Sequence, residues 1–141
     1  MQIEDELAIG LLSNKPQYEH VKQLLADVEA NKLTVAAGST KPLADQKGPF
    51  LSPTIIDNPP DDSRVVVEEA FGLMIPVLKW SEESDAIEMV DNTKYGLGAS
   101  VWSRADRIAR QLEAGMVFIN THGEADPLIP GGGFKESGIG V

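Results

Sequence analysis

The sequence predicts an α/β protein, with a mostly parallel sheet flanked by helices. Three features point there. Several segments carry apolar residues at three- and four-residue steps, short apolar runs alternate with them, and Gly, Pro and Asp clusters mark the joints. At 141 residues the chain fits a single domain over 1–141, long enough to bury a core.

The first helix falls within SNKPQYEHVKQLLADVEAN, residues 13–31. Asn14 can cap it, Gln17 stands three residues on as in a capping box, and Pro16 is tolerated in the first turn. Tyr18, Val21, Leu25 and Val28 form one apolar stripe, while His20 falls off it beside Glu19, as a solvated histidine would. LTVAAG reads as a strand ended by Gly38, and STKPLADQKGP as a polar loop. FLSPTIID is a second strand in which Pro53 argues for an edge position or a bulge. After the NPPDD break, SRVVVEEAFG fits either a helical turn or a strand. LMIPVLKW is a buried-strand pattern interrupted by Pro76.

SEESDAIEMVDNTKYG opens with Ser81 as a cap and four acids in its early turns, which suits the positive end of a helix dipole. Lys94 and Gly96 mark its end, and LGASVWS follows as a strand. SRADRIARQLEAG is the clearest helix. Ser103 and Asp106 have capping-box spacing, Ala105, Ile108, Ala109 and Leu112 share a face, and Gly115 stops it. MVFINT closes the series as a strand.

A net charge of −10 repels a phosphate backbone, so nucleic acid is not an expected partner. No apolar run approaches the roughly 20 residues of a membrane helix. The opening MQIEDELAIG has three acids and no base, the wrong charge for a targeting segment. A soluble, cytoplasmic protein is expected. The absence of cysteine excludes disulfides, thiolate metal sites and a cysteine nucleophile within these residues. With only His20 and His122 besides, no metal site is expected.

PGGGFKESGIG, residues 130–140, invites comparison with phosphate loops. A P-loop needs G-x-x-x-x-G-K-[ST] between a strand and a helix. Here Lys135 follows Gly133 by two, and Glu136 stands where Ser or Thr belongs. GLGASV precedes a strand and lacks the third glycine. Neither is a phosphate cradle. Nucleophilic catalysis would need an activated hydroxyl near His122; Ser137 and Thr121 exist, but no spacing places either at an oxyanion hole. THGEAD gathers His122, Glu124 and Asp126 just after a predicted strand, where α/β sheets often put ligand sites. Histidine beside carboxylates is an acid–base pair. A solvated polar loop would carry the same residues.

GPFLSPTIIDNPPDDSRVVVEEAFG, PVLKW, NTKYGLGASVWS, ARQLEAGMVFINTH and DPLIPGGGFKESGIG stand in that order along the chain. Together they resemble the C-terminal half of the aldehyde dehydrogenase catalytic domain, from about Ser13 to Gly140. The resemblance implies that the glycine-rich stretch packs against a catalytic centre, and that the loop before it helps line the aldehyde entrance. Glu69 and Phe71 match the family's Glu-x-Phe pair, whose glutamate contacts the ribose beside nicotinamide and whose ring packs next to it. Asn120 matches the asparagine ending the preceding strand. The chain also departs from the family pattern. Gly131 stands where a pocket phenylalanine is expected, which implies a wider pocket. Leu73 replaces the proline usual after Phe-Gly, Ala70 replaces a proline or isoleucine, and SRADRIARQ is a few residues short ahead of its helix.

By the same resemblance, the nucleophilic cysteine, the glutamate base, the oxyanion asparagine and the nucleotide-binding domain lie upstream of this stretch. The family's oligomer-building final strand lies beyond Val141. The chain is therefore not expected to be an autonomous dehydrogenase. Losing a nucleophile alone costs on the order of 10⁶ in turnover. No cofactor is expected, with Glu69 and Phe71 vestigial. The expected function is redox-independent acid–base chemistry (isomerisation, cyclisation or hydration) on a small organic substrate. His122, Glu124 and Asp126 would carry it, with Glu69 and Lys135 as supporting charges and Asn120, Gly131 and Lys135 lining the pocket. A non-catalytic interaction module and an incomplete NAD(P)-dependent aldehyde oxidoreductase completed by another chain are the alternatives. Half a catalytic domain exposes an apolar face, so self-association as a homodimer or higher oligomer is expected.

Overall fold

The computed structural model describes residues 12–41, 48–104, 106–124, 128 and 130–139. Helix α1 (Lys15–Ala30) begins at the expected cap: Asn14 accepts from the Gln17 N–H at 2.9 Å, and Pro16 sits in the first turn. The reciprocal half of the capping box is absent, because the Gln17 side chain donates instead to the Ala70 carbonyl. At the other end, the Leu33 N–H reaches Val28 O, the Lys32 N–H reaches Glu29 O, and Lys32 takes φ 54°. This is a Schellman closure with lysine in the place glycine favours. Val21, Leu24, Leu25 and Val28 are buried, so Leu24 joins the expected stripe, and Tyr18 packs at its margin.

Strand β1 (Val35–Ala37) pairs antiparallel with β2 (Thr54–Asp57), and β2 pairs in parallel with β3 (Met74–Val77). β2 is thus the central strand, and Pro53 lies just ahead of it instead of within an edge strand. An irregularity does occur, in the β1–β2 ladder between Val35 and Ala37. The LMIPVLKW run is not a buried strand. β3 is at the edge of its sheet, which accommodates Pro76, and Ile75 is 60% exposed. Leu51, Ile56, Val65 and Met74 pack with the buried α1 residues in one core. Thr54 is buried among them, and its hydroxyl lies 2.9 Å from the Ser39 and Ser52 carbonyls, so no polar atom is stranded there. SRVVVEEAFG becomes one helical turn, α2 (Arg64–Val67), followed by extended chain.

The chain divides at Lys79/Trp80 into two compact units. The second begins with helix α3 (Glu83–Asp91), followed by strand β4 (Gly98–Val101), helix α4 (Asp106–Ala109) and strand β5 (Met116–Ile119). β4 and β5 pair in parallel, with Gly98 opposite Met116 and Ser100 opposite Phe118. The cap position of α3 is Glu82, without a side-chain bond, and not Ser81; Glu83 and Asp85 still place acid in the first turn. α4 is a single turn that stops well short of Gly115. Competing bonds explain this. The Ser103 N–H goes to the Asn120 side chain, and the Glu113 N–H goes to the Asp91 carboxylate. Ala105, expected on the α4 face, lies outside the described residues.

The chain is therefore α/β, with parallel pairings in both sheets and one antiparallel pairing. Among the described residues no helix is long and apolar enough to cross a membrane. Gly38 follows β1 at φ 86°, and a Cβ there would stand 1.8 Å from Pro53 O. Gly38→Ala is expected to lower the unfolding free energy by about 2 kcal/mol or more. Lys32→Gly, which relieves a left-handed lysine, is expected to raise it by about 0.5 kcal/mol. Urea titration followed by circular dichroism measures both, and shifts of the same sign would contradict the geometry.

Candidate functional site

In the first unit, residues 69–72 follow α2 as irregular chain and are strapped onto α1. Gln17 donates to Ala70 O, and His20 Nε2 lies 3.3 Å from Glu69 O. A Cβ on Gly72 would stand 2.7 Å from Val21 Cγ2. Gln17, His20 and Val21 occupy one helix face at i, i+3 and i+4, so a single face of α1 holds the whole Glu-Ala-Phe-Gly element. His20 is thus half-buried and engaged, not the solvated histidine its position suggested.

These straps use main-chain atoms of residues 69 and 70, which leaves the side chains outward. Glu69 is exposed, and Phe71 is 76% exposed at φ 45°. A bulky residue in the left-handed region is strained, and an exposed ring recovers little of that cost through burial.

In the second unit, the glycine-rich stretch is a strap and not a cradle. The Phe134 N–H donates to Gly96 O at 2.9 Å, the Glu136 N–H to Lys94 O at 3.0 Å, and the Gly96 N–H to Ser137 Oγ at 2.9 Å. A Cβ on Gly115 would stand 1.8 Å from Gly132 O, so strap and turn meet backbone to backbone. Lys135 Nζ lies 2.7 Å from Asp91 O and 3.0 Å from Glu113 Oε2. The structure thus places Lys135 at the C-terminus of α3, where a cation suits the dipole. Nearby, Tyr95 first and then Glu136 hold the Lys94 ammonium above its ordinary pKa.

Asn120 ends β5 at φ 54°, and its amide bridges the main chain of Ser103, at 2.9 Å to the N–H and 3.0 Å to the carbonyl. Its side chain closes the crossover between β4 and β5. His122 Nδ1 lies 2.7 Å from Ser100 Oγ, and its ring meets Phe118 edge-on at 5.8 Å. The hydroxyl beside His122 is therefore neither Ser137, whose Oγ accepts from Gly96, nor Thr121. Ser100 could have been found only through the strand register that sets it opposite Phe118. Glu124 is exposed, and Asp126 lies outside the described residues. Gly131 has room: a Cβ there would meet only Met116 Sδ, at 3.6 Å. A cavity of about 580 Å³ opens between α3, β4 and α4, lined by Trp80, Ile87, Val90, Trp102 and Leu112 among others. None of the expected site residues lines it.

The sequence profile of the aldehyde dehydrogenase family matches residues 1–141. The chain belongs to this family. FUS7 of Gibberella moniliformis, a candidate aldehyde dehydrogenase, is 41% identical over 139 residues, which are 95% of this chain and 30% of its own. Phenylacetaldehyde dehydrogenase of Pseudomonas fluorescens is 35% identical over 144 residues, 98% of this chain and 28% of its own. The NAD+ complex of Bacillus cereus aldehyde dehydrogenase matches with a TM-score of 0.88 at 36% identity, covering 97% of this chain and 28% of that one. The chain thus spans about 30% of the length of the relatives it matches.

In this aldehyde dehydrogenase family chain, the glycines separate by steric role. Gly115→Ala is expected to cost at least about 2 kcal/mol of stability, since the obstacle is backbone. Gly131→Ala is expected to cost less than about 0.5 kcal/mol, as an unobstructed surface change does. Paired urea titrations decide it, and comparable losses would show that the strap does not press on the Gly115 turn.

Proposed function

We propose that these residues form the ribose-facing and aldehyde-entrance part of a nicotinamide-dependent aldehyde oxidoreductase. The thiol nucleophile and the nucleotide-binding domain come from polypeptide outside these 141 residues, which hold no cysteine. One observation carries the reading: the Glu69–Phe71 element is fixed through its backbone while both side chains stay outward. These residues fit one edge of a nicotinamide coenzyme. An ionised carboxylate accepts hydrogen bonds from ribose hydroxyls, and an exposed ring offers a flat apolar face. The coenzyme, when bound, supplies a hydride acceptor. The chain's own residues bind and orient: Glu69 holds the sugar, Phe71 excludes water beside it, and Gly131 leaves the aldehyde approach wide. The Phe134 and Glu136 amides of the 130–139 strap already serve carbonyls, which weighs against a phosphate-binding role for them. The likeness to a structure described as an NAD+ complex supports the reading.

A chimera tests it. Residues 12–139 replace the matching segment of the Bacillus cereus relative, and aldehyde-dependent coenzyme reduction is followed by absorbance. The chimera is expected to turn over, with Glu69→Ala raising the KM for coenzyme about tenfold, the worth of roughly one charged hydrogen bond. An inactive but folded chimera, or an unchanged KM, would refute the assignment.

A second reading is redox-independent acid–base chemistry on a small organic substrate, centred on His122 with Glu124 and Asp126. The hydrogen bond between Ser100 and His122 favours it, because it places a proton carrier beside a hydroxyl. We also propose that the chain self-associates, covering such exposed side chains as Phe71, Ile75, Trp80 and Trp102. Light scattering at micromolar concentration is expected to give the mass of a dimer, and a single-chain mass would contradict this.

A further inference from the structure

We propose that the cavity between α3, β4 and α4 is a binding site for small, neutral, flat aromatic molecules. Its volume of about 580 Å³ is that of pockets that enclose such ligands. Every residue lining it belongs to the second unit, and Glu69, Phe71 and His122 are not among them. The site therefore stands apart from the coenzyme-facing element.

Helix α3 is the first observation that points to a ligand. Glu83, Ala86, Ile87 and Val90 recur at i, i+3, i+4 and i+7, so they share one helix face, and all four line the cavity. Yet α3 buries no residue, and Val90 is half-exposed. The stripe of α1 is packed to completion, with four residues buried. An apolar helix face over open space gains its burial from whatever enters that space.

The walls set the chemistry of what enters. Ile87 and Val90 from α3, Ile108 from α4 and Leu112 just beyond it are aliphatic. Trp80 and Trp102, 58% and 70% exposed, stand at the rim, and indole faces pack well against another flat ring. The polar residues that line the cavity are already engaged. Arg107 pairs with Glu83, His122 Nδ1 meets Ser100 Oγ, and the Asn120 amide holds the main chain of Ser103. A ligand thus finds apolar surface and ring faces but no free charge to answer its own. An anion would meet the Glu83 carboxylate and a net charge of −10, and a cation would have to displace Arg107. Self-association over the two rim indoles would close the mouth without filling the space behind it.

The chain's own fluorescence supplies the test, because Trp80 and Trp102 are its only tryptophans and both line the cavity. The probe is N-phenylnaphthylamine, neutral and flat, which accepts excitation energy from indole. Its counterpart is anilinonaphthalenesulfonate, the same skeleton with a negative charge. Each is titrated into the 141-residue chain at submicromolar concentration, to keep a second copy off the rim. Tryptophan-sensitised emission from the neutral probe is expected to saturate at one probe per chain. The sulfonate is expected to bind at least about tenfold more weakly, since an unpaired charge does not enter apolar surroundings. Ala86→Phe, which fills the cavity from α3, is expected to weaken the neutral probe at least about tenfold through a steric clash. Glu88→Phe, on the exposed face of the same helix, is expected to leave it unchanged. Circular dichroism confirms that each variant is folded; should Ala86→Phe not be, Val90→Phe replaces it. No saturable signal, equal uptake of both probes (the sign of a loosely packed chain), or undiminished binding in the filled variant overturns the proposal. No coenzyme takes part, so the result is independent of the chimera's.

Discussion

Backbone against backbone, with no room for a side chain between, is the constraint on which this structure rests. Gly38 meets the Pro53 carbonyl and Gly115 meets the Gly132 carbonyl, both at distances no Cβ could share. Gly72 lies instead against a side chain, where a Cβ would stand 2.7 Å from Val21 Cγ2. Each contact fixes a segment that is otherwise irregular, where neither helix periodicity nor a long ladder could do so. Among the described residues the strands have four residues at most, so hydrogen bonding along them is limited. Close approach supplies the rigidity that short strands lack, because interiors are packed too densely to shift by a methyl group without cost.

The same constraint explains how side chains come to be left outward. An element held by its own side chains must bury them. An element held by main-chain bonds and a bare Cα can present its side chains to something else. Residues 69–72 are of the second kind, whereas the strap at 130–139 is tied to the 94–96 turn by its Phe134 and Glu136 amides together with the Ser137 hydroxyl, which accepts from the Gly96 N–H. Lys135 shows the limit of reading such a strap for charge. Its ammonium closes α3 through Asp91 O and pairs with Glu113, so a lysine after glycines is here a helix cap and not a phosphate ligand.

What was legible in the sequence follows from range. The α1 cap at Asn14, its apolar stripe and the α/β alternation depend on residues within a turn or two, and the structure shows them. What depended on distant partners was not legible. Gln17 turns from its capping box to Ala70, 53 residues away. The helix expected up to Gly115 stops at Ala109, while Asn120 and Asp91 hold the residues on either side. Pro53 suggested an edge position or a bulge, yet β2 is the central strand between β1 and β3, because order across a sheet is set by topology. Lys32 in a left-handed closure breaks the glycine rule with no local sign. The candidate site divides in the same way. The Glu69–Phe71 element was legible as a motif, whereas the partnership of Ser100 and His122 needed the β4–β5 register, across 22 residues.

Energetics decide how much function such an arrangement can hold alone. A millimolar complex needs about 4 kcal/mol of net binding free energy. On the proposed reading, a charged hydrogen bond from Glu69 would contribute about 1.5–3 kcal/mol, and an aromatic contact from Phe71 about 0.5–1.5 kcal/mol. Their sum reaches that threshold only at its upper end, before the cost of immobilising the ligand is counted. An outward carboxylate and ring of this kind can set the orientation of a coenzyme that other residues bind. They cannot capture it unaided. Placement on rigid backbone is what makes that division workable, since orientation requires precision of position more than strength of contact.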